Sequence, residues 1–173
     1  MPLPLGGCVI IDSTECPIQR PVDSEDQRMF YSGYKKVHTL KYEVAIDEEA
    51  GLPAWVSGPF PGPSADITIF WGGLKQALAA VGSIGIADGT YQGEPAALIV
   101  PPRPYRDLTP ERRAYHRFLS ERRVNVENFF GRQKTIFTCL SVKWRHAIEK
   151  HGIIFHVTAQ ILSVEFFFSP LRQ

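Results

Sequence analysis

Three carboxylates occupy positions where an acid usually needs a reason. Asp12 follows the apolar run Val9-Ile10-Ile11, Asp88 follows "SIGIA", and Glu127 lies in a long helix-forming stretch; the intervals are 76 and 39 residues. An unpaired buried carboxylate is costly, so acids closing apolar strands call for a donor, a cation or a metal. Drawn together, three such groups repel one another until counter-charge arrives. Hard divalent ions such as Mg²⁺ or Mn²⁺ take oxygen ligands. A pair of them about 3.5–4 Å apart activates a water or hydroxyl and stabilises the leaving oxygen in phosphodiester cleavage. Spacing alone equally allows Asp12 and Asp88 to head turns and Glu127 to be a solvated helix residue.

Whether the acids meet depends on the elements that carry them. "GCVIID" (7–12) reads as a short strand that Asp12 ends, and "RMFYSGYKK" (28–36) and "VHTLKYEVAID" (37–47) as further strands. In the last of these His38, Leu40, Tyr42, Val44 and Ile46 alternate with Val37, Thr39, Lys41, Glu43 and Ala45, and the first set is expected to face a core. "PAWVSGPF" (53–60) predicts a returning strand before the breaker "PGPS". "ADITIFWGGLKQALAAV" (65–81) predicts a helix weakened at Gly72-Gly73, with Ser64 or Asp66 as its N-cap. "SIGIAD" (83–88) and "AALIV" (96–100) predict two more strands. Thr109-Pro110-Glu111 starts a helix with a capping hydroxyl, a first-turn proline and an acid at the positive end of the dipole. Its apolar stripe is Tyr115, Phe118, Leu119, Val126, Phe129, Phe130, Ile136 and Phe137, while Arg123, Glu127 and Lys134 share another face. An apolar helix or strand covers about 153–168. This order predicts an α/β domain with a mixed sheet.

The chain has 173 residues, the size of one domain, and its 44% hydrophobic and 21% charged content is that of an ordinary globular protein. Cys8, Cys16 and Cys139 form no CxxC pair, and their odd number argues for a reducing compartment. The stretch 152–168 carries His156, Gln160 and Glu165 and falls short of a clean membrane span. Net charge is only +1, but residues 1–102 hold 6 Lys/Arg against 12 Asp/Glu and residues 103–173 hold 13 against 6. An acidic half to hold metal and a basic half to face phosphate is one reading, and a solvated Arg-rich helix surface is the other. The histidines lack zinc-like spacing with the cysteines, and "GSIGIADG" lacks the lysine of a nucleotide-binding loop.

"IIDSTECPIQRP", "FYSGYKKVHTLKYEVAID", "GPFPGPSADITIF", "IADGTYQG" and "RRVNVENFFGRQKTIF" occur in this order. Together they resemble the DDE-superfamily endonuclease domain of transposases, closest to the Harbinger type and its insertion-sequence relatives. The resemblance implies a ribonuclease H-like mixed β-sheet flanked by helices. It further implies a two-metal nuclease and strand transferase whose triad falls on Asp12, Asp88 and Glu127, with Mg²⁺ or Mn²⁺ as cofactor and DNA as substrate. Lys35, Lys36, His38 and Lys41 fall in what looks like the family's basic strand pair, where they would contact backbone phosphates. Arg123, Arg132 and Lys134, beside Glu127, would steer phosphate. Asp66 matches an acid of the family's Ser-x-Asp-like segment, and a helix cap explains it equally well. Family members usually carry a DNA-binding region ahead of the first strand, for which eleven residues leave no room. The expectation is a single catalytic domain over 1–173, nuclear in a eukaryote and otherwise cytoplasmic, able to form an oligomer and helped by a separate Myb-like DNA-binding protein. The alternative is a truncated or domesticated, non-catalytic nucleic-acid-binding domain.

Overall fold

A computed structural model describes residues 2–102 and 109–169. The first strand, β1 (Cys8–Pro17), pairs antiparallel with β3 (Val37–Asp47) over its length from Val9 to Pro17. On its other side Cys8–Ile10 pairs parallel with β5 (Ile84–Ile86), and β5 pairs parallel with β6 (Leu98–Ile99). Beyond β3 lies β4 (Pro53–Pro61), antiparallel, while the two-residue β2 (Tyr31–Ser32) pairs with the start of β3. Leaving β2 aside, the order across the mixed sheet is β4-β3-β1-β5-β6. Three antiparallel strands beside two parallel ones, with helices flanking, make an α/β architecture consistent with a ribonuclease H-like fold.

Both faces of the sheet are covered. On one side α4 (Pro110–Ile136) and α5 (Ile148–Phe168) pack on Ile10, Cys16, Leu40, Tyr42, Val44 and Ile46. There the Tyr42 and Phe155 rings stack with centroids 3.9 Å apart; emptying a buried phenylalanine site of this kind costs about 3–5 kcal/mol. On the other side α2 (Asp66–Trp71) and α3 (Leu74–Val81) bring Phe70, Leu74 and Leu78 onto Val9, Ile11 and Ala45. Close approach is set by two glycines. A Cβ on Gly85 would lie 2.8 Å from Leu98 Cδ2 and run into Ile11, and one on Gly152 would lie 2.8 Å from Pro59 Cδ.

Several sequence expectations need correction. Asp12 does not end β1: the strand continues to Pro17 because β3 keeps pairing with it, and only β5 stops short. "RMFYSGYKK" is mostly not strand, because the Asp23 side chain accepts from the Glu25 and Asp26 amides and starts helix α1 (Ser24–Phe30). The helix predicted over 65–81 is two helices broken at Gly72-Gly73, and its cap position is Ala65, with no side-chain cap. Leu119, Val126, Phe129 and Phe130 of the α4 stripe are buried, whereas Tyr115, Phe118 and Ile136 are largely exposed. Thr109 caps α4 as expected, accepting from the Arg112 amide. Finally, α5 is long and apolar enough to cross a membrane by length and composition, although 39% of its apolar 18-residue stretch is buried within the molecule.

Candidate functional site

The parallel pairing of β1 ends at Ile10, and two residues on, Asp12 lies past the tip of β5. Asp88, two residues beyond β5, caps the 3₁₀ turn Gly89–Tyr91 by accepting from the Thr90 amide at 2.7 Å and from the Thr90 hydroxyl. Both acids line one cavity of about 530 Å³, together with Asp66, Lys35, Lys41 and Lys134. Asp12 accepts from the Ser13 amide at 2.8 Å. Among the described residues no lysine or arginine lies within ion-pair distance of Asp12 or Asp88. Burial raises the Asp12 carboxyl to about 6; the Ser13 amide and Arg123 oppose the rise, and Asp88 and Asp66 reinforce it.

Alternation divides the neighbours of Asp12 between the two faces of the sheet. Thr14, two residues on, faces α4, where its hydroxyl accepts from Lys134 Nζ at 2.7 Å; the same ammonium donates to the Glu15 carbonyl at 2.8 Å. Burial lowers the pKa of Lys134. Ser13 faces α2 and donates to Asp66 Oδ1 at 2.5 Å. Lys41 reaches the same oxygen at 3.1 Å and the Ser64 carbonyl at 2.7 Å. Asp66 is therefore a tether for the residue next to Asp12, a function for which the cap reading had no place.

Of the three acids expected to converge, Asp12 and Asp88 share the cavity. Glu127 does not line it; its side chain is 58% exposed and lies 3.7 Å from Arg123. Among the described residues no group of three or more His, Cys, Asp or Glu is arranged to hold a metal ion. The donor chemistry nevertheless fits a divalent ion in part. Two oxygen donors, Asp88 adding to the raised proton affinity of Asp12, share a cavity without an ion-paired cation. Glu127 lies one turn beyond Arg123, whose charge is felt at Asp12, and seven residues before Lys134 on the same helix.

The basic residues separate by environment. Lys35 lines the cavity, with its ammonium 5.0 Å from the Tyr34 ring centroid. Lys36 is exposed in the turn before β3, and His38 packs edge-on to Tyr31 at 5.5 Å. Lys41 is only 9% exposed, on the cavity wall rather than on a hairpin surface. Arg132 turns away to α5, where it pairs with Glu165 and lies 5.3 Å from the Phe166 ring centroid. Sequence reasoning missed Glu43 and Tyr91, which are buried behind the cavity. The available signal was an acid alternating with Lys41 on a strand that proves to be covered on both sides. A larger apolar groove, about 650 Å³, lies between β4 and α5 and shares no residue with the acidic cavity.

A mixed five-strand order with two aspartates at the junction of β1 and β5 is consistent with a ribonuclease H-like fold. The family described as DDE superfamily endonuclease matches residues 11–162, and the chain belongs to it. It is also similar to a probable transposase for insertion sequence element IS702 from Microchaete diplosiphon, with 32% identity over 164 residues. That alignment takes in 91% of this chain and 56% of the relative, so the chain spans little more than half the relative's length. No solved structure matches it.

Proposed function

We propose that this chain is the catalytic domain of a transposase that cuts DNA phosphodiesters by a two-metal mechanism and joins the liberated end to new DNA. The observation that supports this most is the shared cavity of Asp12 and Asp88, flanked by Lys35 and Lys134. Asp12 and Asp88 would hold the ions, with Glu127 as third donor. Mg²⁺ or Mn²⁺ bound there would lower the pKa of the attacking water and stabilise the leaving oxygen. Hydrolysis puts a water oxygen on phosphorus and releases the 3′-oxygen as a hydroxyl, which attacks a second phosphodiester in strand transfer. Lys134, clamped by Thr14 and the Glu15 carbonyl, offers a fixed cation to the substrate's phosphates. Lys35, Lys36, His38 and Arg123 would add backbone contacts, which give affinity without sequence specificity. The ordered motifs favour a Harbinger-type or insertion-sequence lineage. With it come a nuclear location in a eukaryotic host, a cytoplasmic one otherwise, and a separate Myb-like DNA-binding partner.

The position of Glu127, outside the cavity and beside Arg123, favours a second reading: a transposase-derived domain that binds nucleic acid without cutting it. Incubation with nicked and duplex DNA and Mg²⁺ or Mn²⁺ separates the two. Cleavage by the wild type that is lost in Asp12→Ala and Asp88→Ala supports the nuclease. Salt-sensitive binding without cleavage supports the binding domain.

A further inference from the structure

Behind the cavity, on the face of the sheet under α2, lies a polar row that a hydrophobic core has no need of. Ser13 of β1 is the cross-strand partner of Glu43 on β3, and Glu43 is the partner of Ser57 on β4. Glu43 is 1% exposed, and both its carboxyl oxygens lack a hydrogen-bond partner. Other buried polar atoms that lack one include Trp55 Nε1, the Ser57 hydroxyl and the Tyr91 hydroxyl. All three converge on Glu43, near enough to stabilise its charge though short of hydrogen-bond geometry. Orphaned groups of this kind cost about 1–3 kcal/mol each, so a cluster of them calls for a compensating role.

The chain neighbours of these groups suggest that role. Tyr91 closes the 3₁₀ turn that Asp88 caps, and Ser13 follows Asp12. Lys41, two residues before Glu43 on the same face of β3, holds Asp66, which holds Ser13. One strand thus reaches both aspartates from behind. Lys41 reaches Asp12 through Asp66 and Ser13, and Glu43 reaches Asp88 through Tyr91. Burial, reinforced by the Asp66 charge, raises the Glu43 carboxyl to about 8, leaving it a neutral O–H donor at pH 7.

We propose that Glu43 is a positioning residue for the Asp12–Asp88 site: through Tyr91 it fixes the turn that carries Asp88, and beside Ser13 it fixes that turn's distance from Asp12. This rests on the nuclease reading for its consequence in catalysis, but not for its structural content. Glu43 is buried, so it acts only through these neighbours.

The test uses Glu43→Gln, which keeps shape and neutrality, Glu43→Leu, which removes the anchor, and Tyr91→Phe, which removes one hydroxyl and leaves the ring packed on Phe70. Amide hydrogen exchange at Thr90, whose N–H is bonded to Asp88, is the readout independent of activity. Exchange is expected to quicken at least tenfold in Glu43→Leu and Tyr91→Phe and to stay within about twofold of wild type in Glu43→Gln. Cleavage should follow, with kcat down tenfold or more in the Leu and Phe variants, KM for DNA unchanged, and the Gln variant rescued. Unaltered Thr90 exchange in both the Leu and Phe variants overturns the proposal, as does a Gln variant as impaired as Leu. Should Glu43→Leu fail to fold, Tyr91→Phe alone decides. A wild type that never cleaves DNA refutes the nuclease reading, and the exchange measurement still judges this one.

Discussion

Replacing Glu43 with glutamine should flatten the dependence of stability on pH between 4.5 and about 8, the ordinary and the buried values of this carboxyl. In that window the folded chain keeps a proton on Glu43 that the unfolded chain has released. The folded state binds more protons, so stability falls as pH rises and levels off above the folded value. A rise of 3.5 pH units corresponds to about 5 kcal/mol at 1.36 kcal/mol per unit. That is a large part of the 5–15 kcal/mol typical of a domain. Glutamine has no proton to lose and nearly the same shape, so its curve carries no such term. Urea unfolding in EDTA at half-unit pH steps measures both proteins. The quantity to plot is the difference, which cancels contributions common to both, among them the decline that Asp12 adds as pH rises from 3.8 to about 6. The glutamine variant should gain on wild type steadily to about pH 8. At 2–4 °C per kcal/mol for a chain of this size, the gain in Tm there is about 10 °C or more. A difference curve that stays flat would show that Glu43 is charged and satisfied in the folded protein, and the polar row would need another explanation.

Other outcomes follow from the same geometry. Millimolar Mn²⁺ should raise the Tm of the wild type above pH 6, where Asp12 is ionised, and leave Asp12→Asn and Asp88→Asn unmoved; an equal shift in all three would place the ion elsewhere. Arg132→Ala should destabilise by about 1 kcal/mol through its lost contacts to Glu165 and Phe166 while leaving the salt slope of DNA binding unchanged. Lys134→Met should reduce that slope by about one, and equal slopes for the two variants would refute the separation of the basic residues. Burial depresses His151 to about 4 against an ordinary 6.5, with Lys134 adding to the effect, so it stays neutral against the Tyr42 hydroxyl at 2.7 Å. Its contribution, about 3 kcal/mol, is present above pH 6.5 and is lost as pH falls toward 4, which His151→Gln should abolish in acid unfolding curves.

What could be read in the sequence was whatever repeats with a period. Leu40, Tyr42, Val44 and Ile46 alternate, and all four lie in the core where alternation put them. The Thr109 cap with Pro110 marked the start of α4, and glycines at 72 and 73 marked the break in the helix before β5. Asp12 and Asp88 were legible as candidates because each follows a short apolar run, although only β5 stops short there while β1 runs on to Pro17. Glu127 was placed by spacing on a helix, and spacing fixes a face without fixing where a long side chain points. Arg132 shows the same limit: it is two residues from Lys134, which on a helix is nearly the opposite side, and it is drawn to Glu165 on an element whose position only the tertiary fold decides.

The second face of β3 is the instructive case. Thr39, Lys41, Glu43 and Ala45 match a strand with one face in water, and that was the natural inference from composition. The inference held only so long as nothing covered that face. Helices α2 and α3 do cover it, and their own apolar residues, Phe70, Leu74 and Leu78, had to pack against something. Once the face is buried, each polar residue on it must find a partner or bear a desolvation cost. Lys41 finds Asp66 and the Ser64 carbonyl, and Thr39 donates to Glu15. Glu43 alone keeps both oxygens unpaired, and it does so between the tethers of Asp12 and Asp88. A leucine there would remove the desolvation cost, so the acid's presence in the core is better accounted for by what it positions than by what it stabilises.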